Sequence, residues 1–250
     1  MAAKCLFLSE LMPGYQRDLA YIHDAGFGDY ARKSAPGLLA ILRQAGIRNG
    51  VVVDLGCGSG IWATELFRHG YDVLGIDSST AMIELARKQA PAARFISASF
   101  LKARLPACDA ATAIGEVFNY TFDKRNSRRG LAQLFRRVHQ ALRLGGVFIF
   151  DVAEPGRALR RAYAEGKDWA ILFSAEASRD LLVRRMTTFR RVGKLYRRSE
   201  ETHRLRLYRS SDVAADLRAA GFTVRVLRAY GRMPLPSGNA AFVATKRRAT

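Results

Sequence analysis

Residues 51–60, VVVDLGCGSG, run through three valines to Asp54 and then set glycines at positions 56, 58 and 60. A buried strand that breaks into such a turn and opens a helix exposes backbone N–H groups with no Cβ in the way. A ligand can then approach the main chain at the carboxyl edge of a parallel sheet. The segments that follow keep to this plan. Residues 51–55 read as a buried strand and about 61–69 as a helix; YDVLGID (71–77) is a second strand and SSTAMIELARKQA (78–90) a helix opened by a serine cap. ARFISAS (93–99) and CDAATAIG (108–115) read as the third and fourth strands, 125–144 as a helix, and GGVFIFDV (145–152) as the fifth strand. Strands alternating with helices at this spacing predict a parallel sheet with right-handed crossovers.

The flanks have other periods. Before the turn, 13–23 and 33–45 read as helices joined by HDAGFGDY, with Gly46 as the C-cap of the second. After Pro155, WAILFSAEAS, LLVRRMTTFRRVG and LYRRSEETHRLRLY alternate like strands and are joined by RD and GK, which predicts an antiparallel meander. A helix at 212–220 and strands FTVRVLRAY and NAAFVATKR then return to the α/β pattern. The chain therefore reads as one domain over 1–250: a helical cap (1–46), an α/β core (47–153 and 210–250) and an antiparallel β insertion (168–209).

Composition narrows the function. The net charge is +19, and the excess is C-terminal: residues 1–100 hold 10 basic and 9 acidic side chains, residues 101–250 hold 31 and 13. Such a field steers a polyanion, favours a small acidic substrate, or simply keeps a surface solvated. The arginines fall in scattered doublets, which favours the solvated surface over nucleic acid. Cys5, Cys57 and Cys108 are odd in number, with no paired spacing and no adjacent histidine. This argues against disulfides and against a zinc site, and predicts buried thiols in a reducing compartment. The apolar run 5–8 is far too short for a signal or membrane segment, so a cytoplasmic protein with no membrane partner is expected.

In a dinucleotide site the glycines fall as G-x-G-x-x-G, because a pyrophosphate sits on the helix N-terminus. Here they fall as G-x-G-x-G, and the charge of Asp54 would lie beside that pyrophosphate, which disfavours NAD. With Asp54 included, VVVDLGCGSG resembles the first signature of the class I S-adenosylmethionine-dependent methyltransferases. GID (75–77), whose Asp77 follows Asp54 by 23 positions, resembles the second, and LRAAGF (217–222) matches more loosely. The resemblance implies a Rossmann-like, seven-stranded, mostly parallel sheet whose last strand is antiparallel, and S-adenosylmethionine as cofactor. It implies that Gly56, Cys57 and Gly58 pass under the amino acid and ribose portions, with Asp54 beside them. Asp77 would accept hydrogen bonds from both ribose hydroxyls, and Ser78 and Met82 would flank the adenine, although Met82 also fits plain core packing. One position departs from the pattern. Family members often have an aspartate just after the third strand for the adenine amino group, whereas SASFL (97–101) leaves Ser99 or the backbone of Phe100 for that role.

The fourth strand ends in AIGEVFNY (113–120), where the sulfonium would meet the acceptor, with Gly115 on the cofactor side. The N/D-P-P-Y/F motif of amino-methyltransferases is absent there, as is the cysteine pair of the 5-methylcytosine enzymes. GEVFNY is closer to small-molecule methyltransferases, which clasp the acceptor between N-terminal helices and an insertion after the fifth strand. Alignment and desolvation carry most of such a transfer, and a base is optional. Candidate catalytic residues are Glu116 and Asp151, at strand ends, and His23 from the cap. Tyr15, Tyr30, Tyr120 and His203 are candidate substrate contacts, with Tyr21 beside them, since aromatic rings attract a cation. His69 and His139 read as structural. The expected function is methylation of a small-molecule acceptor at N or O, with 168–209 as a second wall or a homodimer surface. An RNA or protein methyltransferase using the basic C-terminal half, and a noncatalytic cofactor-binding interaction protein, are the alternatives.

Overall fold

The computed structural model describes residues 14–156 and 160–247; Cys5, the apolar run 5–8 and position 13 lie outside the described residues. The N-terminal helices are α1 (Arg17–Phe27) and α2 (Asp29–Gln44). The first half of the core comprises β1 (Gly50–Leu55), α3 (Ile61–Arg68), β2 (Tyr71–Asp77), α4 (Thr80–Gln89), β3 (Arg94–Ser97), β4 (Cys108–Ala113), a 3-10 turn (Val117–Asn119), α5 (Arg128–Ala141) and β5 (Leu142–Ala153). A second sheet follows, made of β6 (Arg160–Gly166), β7 (Trp169–Ala177), β8 (Leu181–Val192) and β9 (Leu195–Arg206). The chain returns through α6 (Ser210–Ala219), β10 (Phe222–Leu227), β11 (Ala229–Tyr230), β12 (Met233–Pro234) and β13 (Asn239–Lys246).

The main sheet has the order β10-β13-β5-β4-β1-β2-β3, with β13 antiparallel to both neighbours and β1 to β5 parallel. Its central strands are apolar on both faces because both faces are covered. Val52, Val73 and Ile149 pack with Leu38, Leu42, Trp62, Leu66 and Ile83 of α2, α3 and α4. Their neighbours Val53, Leu74 and Phe148 pack with Leu131, Leu134, Phe135 and Leu217 of α5 and α6. The second sheet lays Trp169, Ile171 and Met186 against Leu19 and Ile22 of α1. Thus α1 packs against the inserted sheet. Among the described residues no helix is long and apolar enough to cross a membrane.

Local signals were obeyed where they concern caps. Ser79 accepts the N–H of Met82 at the start of α4. Gly46 (φ +79°) closes α2, its N–H donating to the Arg43 carbonyl while Ile47 N–H donates to that of Leu42, the paired bonds of a Schellman end. Four expectations are corrected. HDAGFGDY is not a connector: α1 runs through it to Phe27, and Gly28 alone separates the two helices. Its glycine signal is one of packing, since a Cβ on Gly26 would lie 2.5 Å from the Trp169 ring. The inserted sheet begins with β6, an edge strand whose charged, small-residue sequence RRAYAEG carries little strand signal. FTVRVLRAY is split, because Ala229 and Tyr230 leave the main sheet to pair with β12. The helix expected over 125–144 is shorter, since Leu142 already pairs with Cys108.

The β11 excursion seats Tyr230, fully buried, against α2. A Cβ on Gly37 would stand 2.3 Å from the Tyr230 carbonyl, and backbone cannot yield cheaply. Gly37→Ala is therefore expected to lose about 1–3 kcal/mol, a fall in melting temperature of roughly 2–10 °C. An unchanged transition in a thermal scan would contradict the close approach.

Candidate active site

The carboxyl ends of β1, β2 and β4 open into a cavity of about 580 Å³. Residues from α1 and α2 line its other side, including His23, Phe27 and Tyr30. At its floor the glycine turn is left-handed: Gly56, Gly58 and Gly60 have φ of +67°, +53° and +81°. The turn is tied to the next strand. Gly56 and Cys57 donate their N–H groups to the Ile76 carbonyl at 2.6 and 3.1 Å, and Gly58 N–H donates to Asp77 Oδ2 at 2.9 Å. Ser79 N–H meets the other oxygen of Asp77 at 2.8 Å. A Cβ on Gly56 would lie 2.4 Å from Val117, so that glycine is required by the protein itself. At Gly58 and Gly115 (φ +95°) a Cβ would meet nothing within 4 Å. Both line the cavity, so these two leave room for a ligand and not for a neighbouring side chain.

Two carboxylates face this floor. Asp54, almost fully buried, accepts a hydrogen bond from Thr112 Oγ1 at 2.7 Å, and Thr112 in turn accepts from the Trp62 indole at 3.2 Å. Burial pushes Asp54 up to about 7, with the nearby Asp77 adding to the shift and the Thr112 bond opposing it. Burial also raises Asp77, opposed by the N–H groups of Ser79, Gly58 and Ser78. Such a pair in a dry pocket favours a ligand that brings positive charge and hydroxyl donors. Cys57 also lines the cavity, its thiol raised well above the usual range by burial. Ser78, Met82, Ser99 and Phe100 line the same side. The Ser99 hydroxyl donates to Asp123 Oδ2 at 2.6 Å and accepts the N–H of Leu101 at 3.3 Å, which leaves it one lone pair. Asp123, itself a cavity residue, brings a carboxylate to the position where the chain lacks one after β3. No local pattern marks Asp123. Thr112, by contrast, is a polar residue set among Ala110, Ala111 and Ala113 and in register with Asp54.

Glu116, Asp151 and His203 lie behind the wall and do not line the cavity. Asp151 is fully buried. Its Oδ1 accepts the N–H of Glu116 at 2.7 Å, and its Oδ2 accepts that of Gly115 at 3.0 Å and the Tyr230 hydroxyl at 3.0 Å. The Tyr30 hydroxyl also donates to Asp151 Oδ2 at 3.3 Å. Burial lifts Asp151 to about 6 against those N–H bonds. Its geometry pins the left-handed turn at Gly115 and Glu116 (φ +63°) and offers no oxygen to the cavity. Glu116 points away to Arg184 of β8 and to Asn239, whose amide donates to it at 3.0 Å. A base role from either acid is thus not supported by position, because each is turned to a long-range partner.

The remaining wall is aromatic. Tyr15 holds a left-handed φ of +57°. Its N–H donates to Glu201 at 2.9 Å, its carbonyl accepts the Ser79 hydroxyl at 2.8 Å, and its hydroxyl shares a 2.9 Å bond with that of Tyr120. Arg184 Nη1 donates to the Tyr120 hydroxyl at 3.1 Å. His203 packs beneath Tyr15, Tyr120 and Phe122, with Nε2 2.9 Å from Glu201. His23 packs edge-on to Tyr15 at 5.0 Å and lines the cavity. Burial brings its pKa down to about 4, so its ring is neutral near pH 7, and among the described residues Nδ1 has no hydrogen-bond partner. Tyr21 is elsewhere, under Arg190 at 3.4 Å. His69 bonds the Glu65 carbonyl and His139 packs on Phe222, both away from the cavity.

Residues 52–146 match the family model described as a methyltransferase domain. A trans-aconitate 2-methyltransferase of Acidovorax sp. (strain JS42) is 30% identical over 149 residues, 52% of this chain and 55% of that protein. The match spans about half the length of such curated relatives. Among solved structures, a sugar N-methyltransferase from Streptoalloteichus sp. aligns with a TM-score of 0.76 at 20% identity over 99% of both chains. An amino pentose methyltransferase from Micromonospora echinaspora, solved with S-adenosylmethionine bound, aligns with a TM-score of 0.72 at 18% identity, covering 90% of this chain and 96% of that one. At those identities the likeness is one of fold. Residues 52–146 are therefore a methyltransferase domain, set in the class I fold of S-adenosylmethionine-dependent methyltransferases.

Proposed function

We propose that the protein transfers a methyl group from S-adenosylmethionine to nitrogen or oxygen of a small molecule held between α1, α2 and the inserted sheet. The observation that carries this reading is the cradle: a left-handed glycine turn with open space at Gly58, flanked by the buried Asp54 and the half-buried Asp77, at the floor of one cavity. A volume of about 580 Å³ suits ligands of this size. The relatives named for trans-aconitate and for sugars act on small molecules, which supports an acceptor of that class.

The bound cofactor would supply a methyl group on a sulfonium: the acceptor's lone pair bonds to carbon as the C–S bond breaks and its electron pair stays on sulfur, so departure needs no acid. In this reading Asp77 grips the ribose diol with lone pairs left over from Gly58 and Ser79. The backbone of Gly56, Cys57 and Gly58 underlies the amino acid and ribose, with Gly115 opposite. Asp54 favours the positive end of the ligand. Met82, Ser78 and Phe100 form the adenine side, where Asp123, positioned by Ser99, supplies the acceptor. Tyr15, His23, Tyr30 and Tyr120 bound the acceptor space and exclude water.

Asp77→Ala is expected to weaken S-adenosylhomocysteine binding by about 1–3 kcal/mol through lost charge-assisted hydrogen bonds; titration calorimetry reads this directly, and an unchanged affinity would remove Asp77 from the site. Gly58→Val is expected to abolish binding while far-ultraviolet dichroism stays native, whereas tight residual binding would contradict the cradle. The pH dependence has a defined sign. In the ligand-free protein Asp54 is held protonated up to about pH 7, and a cation seated beside it favours the ionised form, so binding below pH 7 releases a proton. Affinity should therefore fall as pH is lowered from 8 to 5.5. Asp54→Asn should flatten much of that fall; an equally steep profile in the variant would assign the titration elsewhere.

A further inference from the structure

We propose that the aromatic end of the cavity is built for an acidic acceptor, binding a small carboxylate through hydrogen bonds donated to its oxygens. This rests on the methyltransferase reading above and narrows its substrate class.

Arg184 can only donate, and its Nη1 donates to the Tyr120 oxygen at 3.1 Å. The Tyr15 and Tyr120 hydroxyls, 2.9 Å apart, share one bond between them. Two phenols hold two protons and that bond uses one. Whichever ring donates, one O–H remains for a further partner among the cavity-lining residues Tyr15 and Tyr120. Burial raises the Tyr15 phenol well above its ordinary value, so that hydroxyl keeps its proton. The guanidinium behind Tyr120 polarises the chain toward giving a proton, not accepting one.

Charge on the surrounding wall agrees. The carboxylates that line the cavity, Asp54, Asp77 and Asp123, sit at the ends of β1 and β2 and beside Ser99, on the cradle side. Glu116 and Asp151 lie behind the aromatic wall with oxygens turned to Arg184 and Asn239 and to the N–H groups of Gly115 and Glu116. Lys124 lines the cavity from an exposed position, and the chain carries +19 overall, a field that draws small anions inward. An ammonium acceptor would have to lose a proton first and would meet a phenol donor and a lysine. A carboxylate arrives with its lone pair available and no proton to remove, which suits a wall on which, among the described residues, no carboxylate base is presented.

The test is binding to the protein saturated with S-adenosylhomocysteine, using benzoate and citrate as carboxylate probes and benzylamine as the matched amine. Benzoate or citrate is expected to bind at least tenfold more tightly than benzylamine. The double variant Tyr15→Phe/Tyr120→Phe, which keeps both rings, is expected to lose at least tenfold in carboxylate affinity with S-adenosylhomocysteine affinity within twofold of wild type. Should that variant not fold, Tyr120→Phe alone disconnects the donor from Arg184 and is expected to lose threefold or more. Tighter binding of benzylamine, no binding of either carboxylate, or carboxylate affinity indifferent to the hydroxyls would overturn the proposal and leave the methyltransferase reading standing. Failure of S-adenosylhomocysteine itself to bind would overturn both.

Discussion

The hydrogen bond from Gly58 N–H to the Asp77 carboxylate joins two strand ends that are not otherwise bonded beyond Ile76. Everything at the cavity floor is referred to it. β1 and β2 pair in register, Leu55 beside Ile76, and the turn that leaves β1 then lies across the end of β2, held by the Ile76 carbonyl and by Asp77. A bond to an ionised acceptor contributes roughly 1.5–3 kcal/mol, and here it also sets the backbone conformation at a residue that has no side chain to hold it. Because two N–H groups each meet a different oxygen, Asp77 is fixed in orientation while lone pairs remain for a ligand.

The same device recurs one crossover away. Asp151, on β5, accepts the N–H groups of Gly115 and Glu116 and so holds the left-handed turn that leaves β4. Two turns in a sparsely populated backbone region, each strapped by a carboxylate from a neighbouring strand, thus line the cavity. Carboxylates out of solvent without a cation beside them are costly unless their oxygens accept hydrogen bonds, and here each oxygen of both accepts a backbone N–H. Rigidity at the floor follows from this pairing, while the walls come from elements more distant in sequence: Glu201 and Arg184 of the inserted sheet anchor Tyr15 and Tyr120 across separations of 186 and 64 residues.

Those separations explain what the sequence could and could not reveal. The strands of the parallel sheet were legible because they are apolar on both faces, the α4 start because Ser79 caps it, and the cradle because only glycine tolerates its φ values and open backbone. Asp77 stood out as the acid that ends the next strand. Glycines 26 and 28 misled, since one serves the Trp169 ring and not a turn, so α1 was placed too early. β6 escaped notice because an exposed edge strand needs no apolar alternation. Glu116 and Asp151 stand at strand ends, where a catalytic acid is expected, yet side-chain direction was decided by Arg184, 68 residues on, and by backbone N–H groups 35 residues back. Asp123 and the phenol pair depend on meetings between loops and on the inserted sheet, which leave no local periodicity.

Each role proposed for the cavity residues depends on the nucleoside lying across the glycine turn. A crystal structure of the protein grown with S-adenosylhomocysteine tests this most directly. It should place both ribose hydroxyls within hydrogen-bond distance of Asp77, the backbone of residues 56–58 against the ligand and the adenine beside Met82 and Asp123. A nucleoside seated elsewhere, or an Asp77 carboxylate with no contact to the sugar, would contradict it.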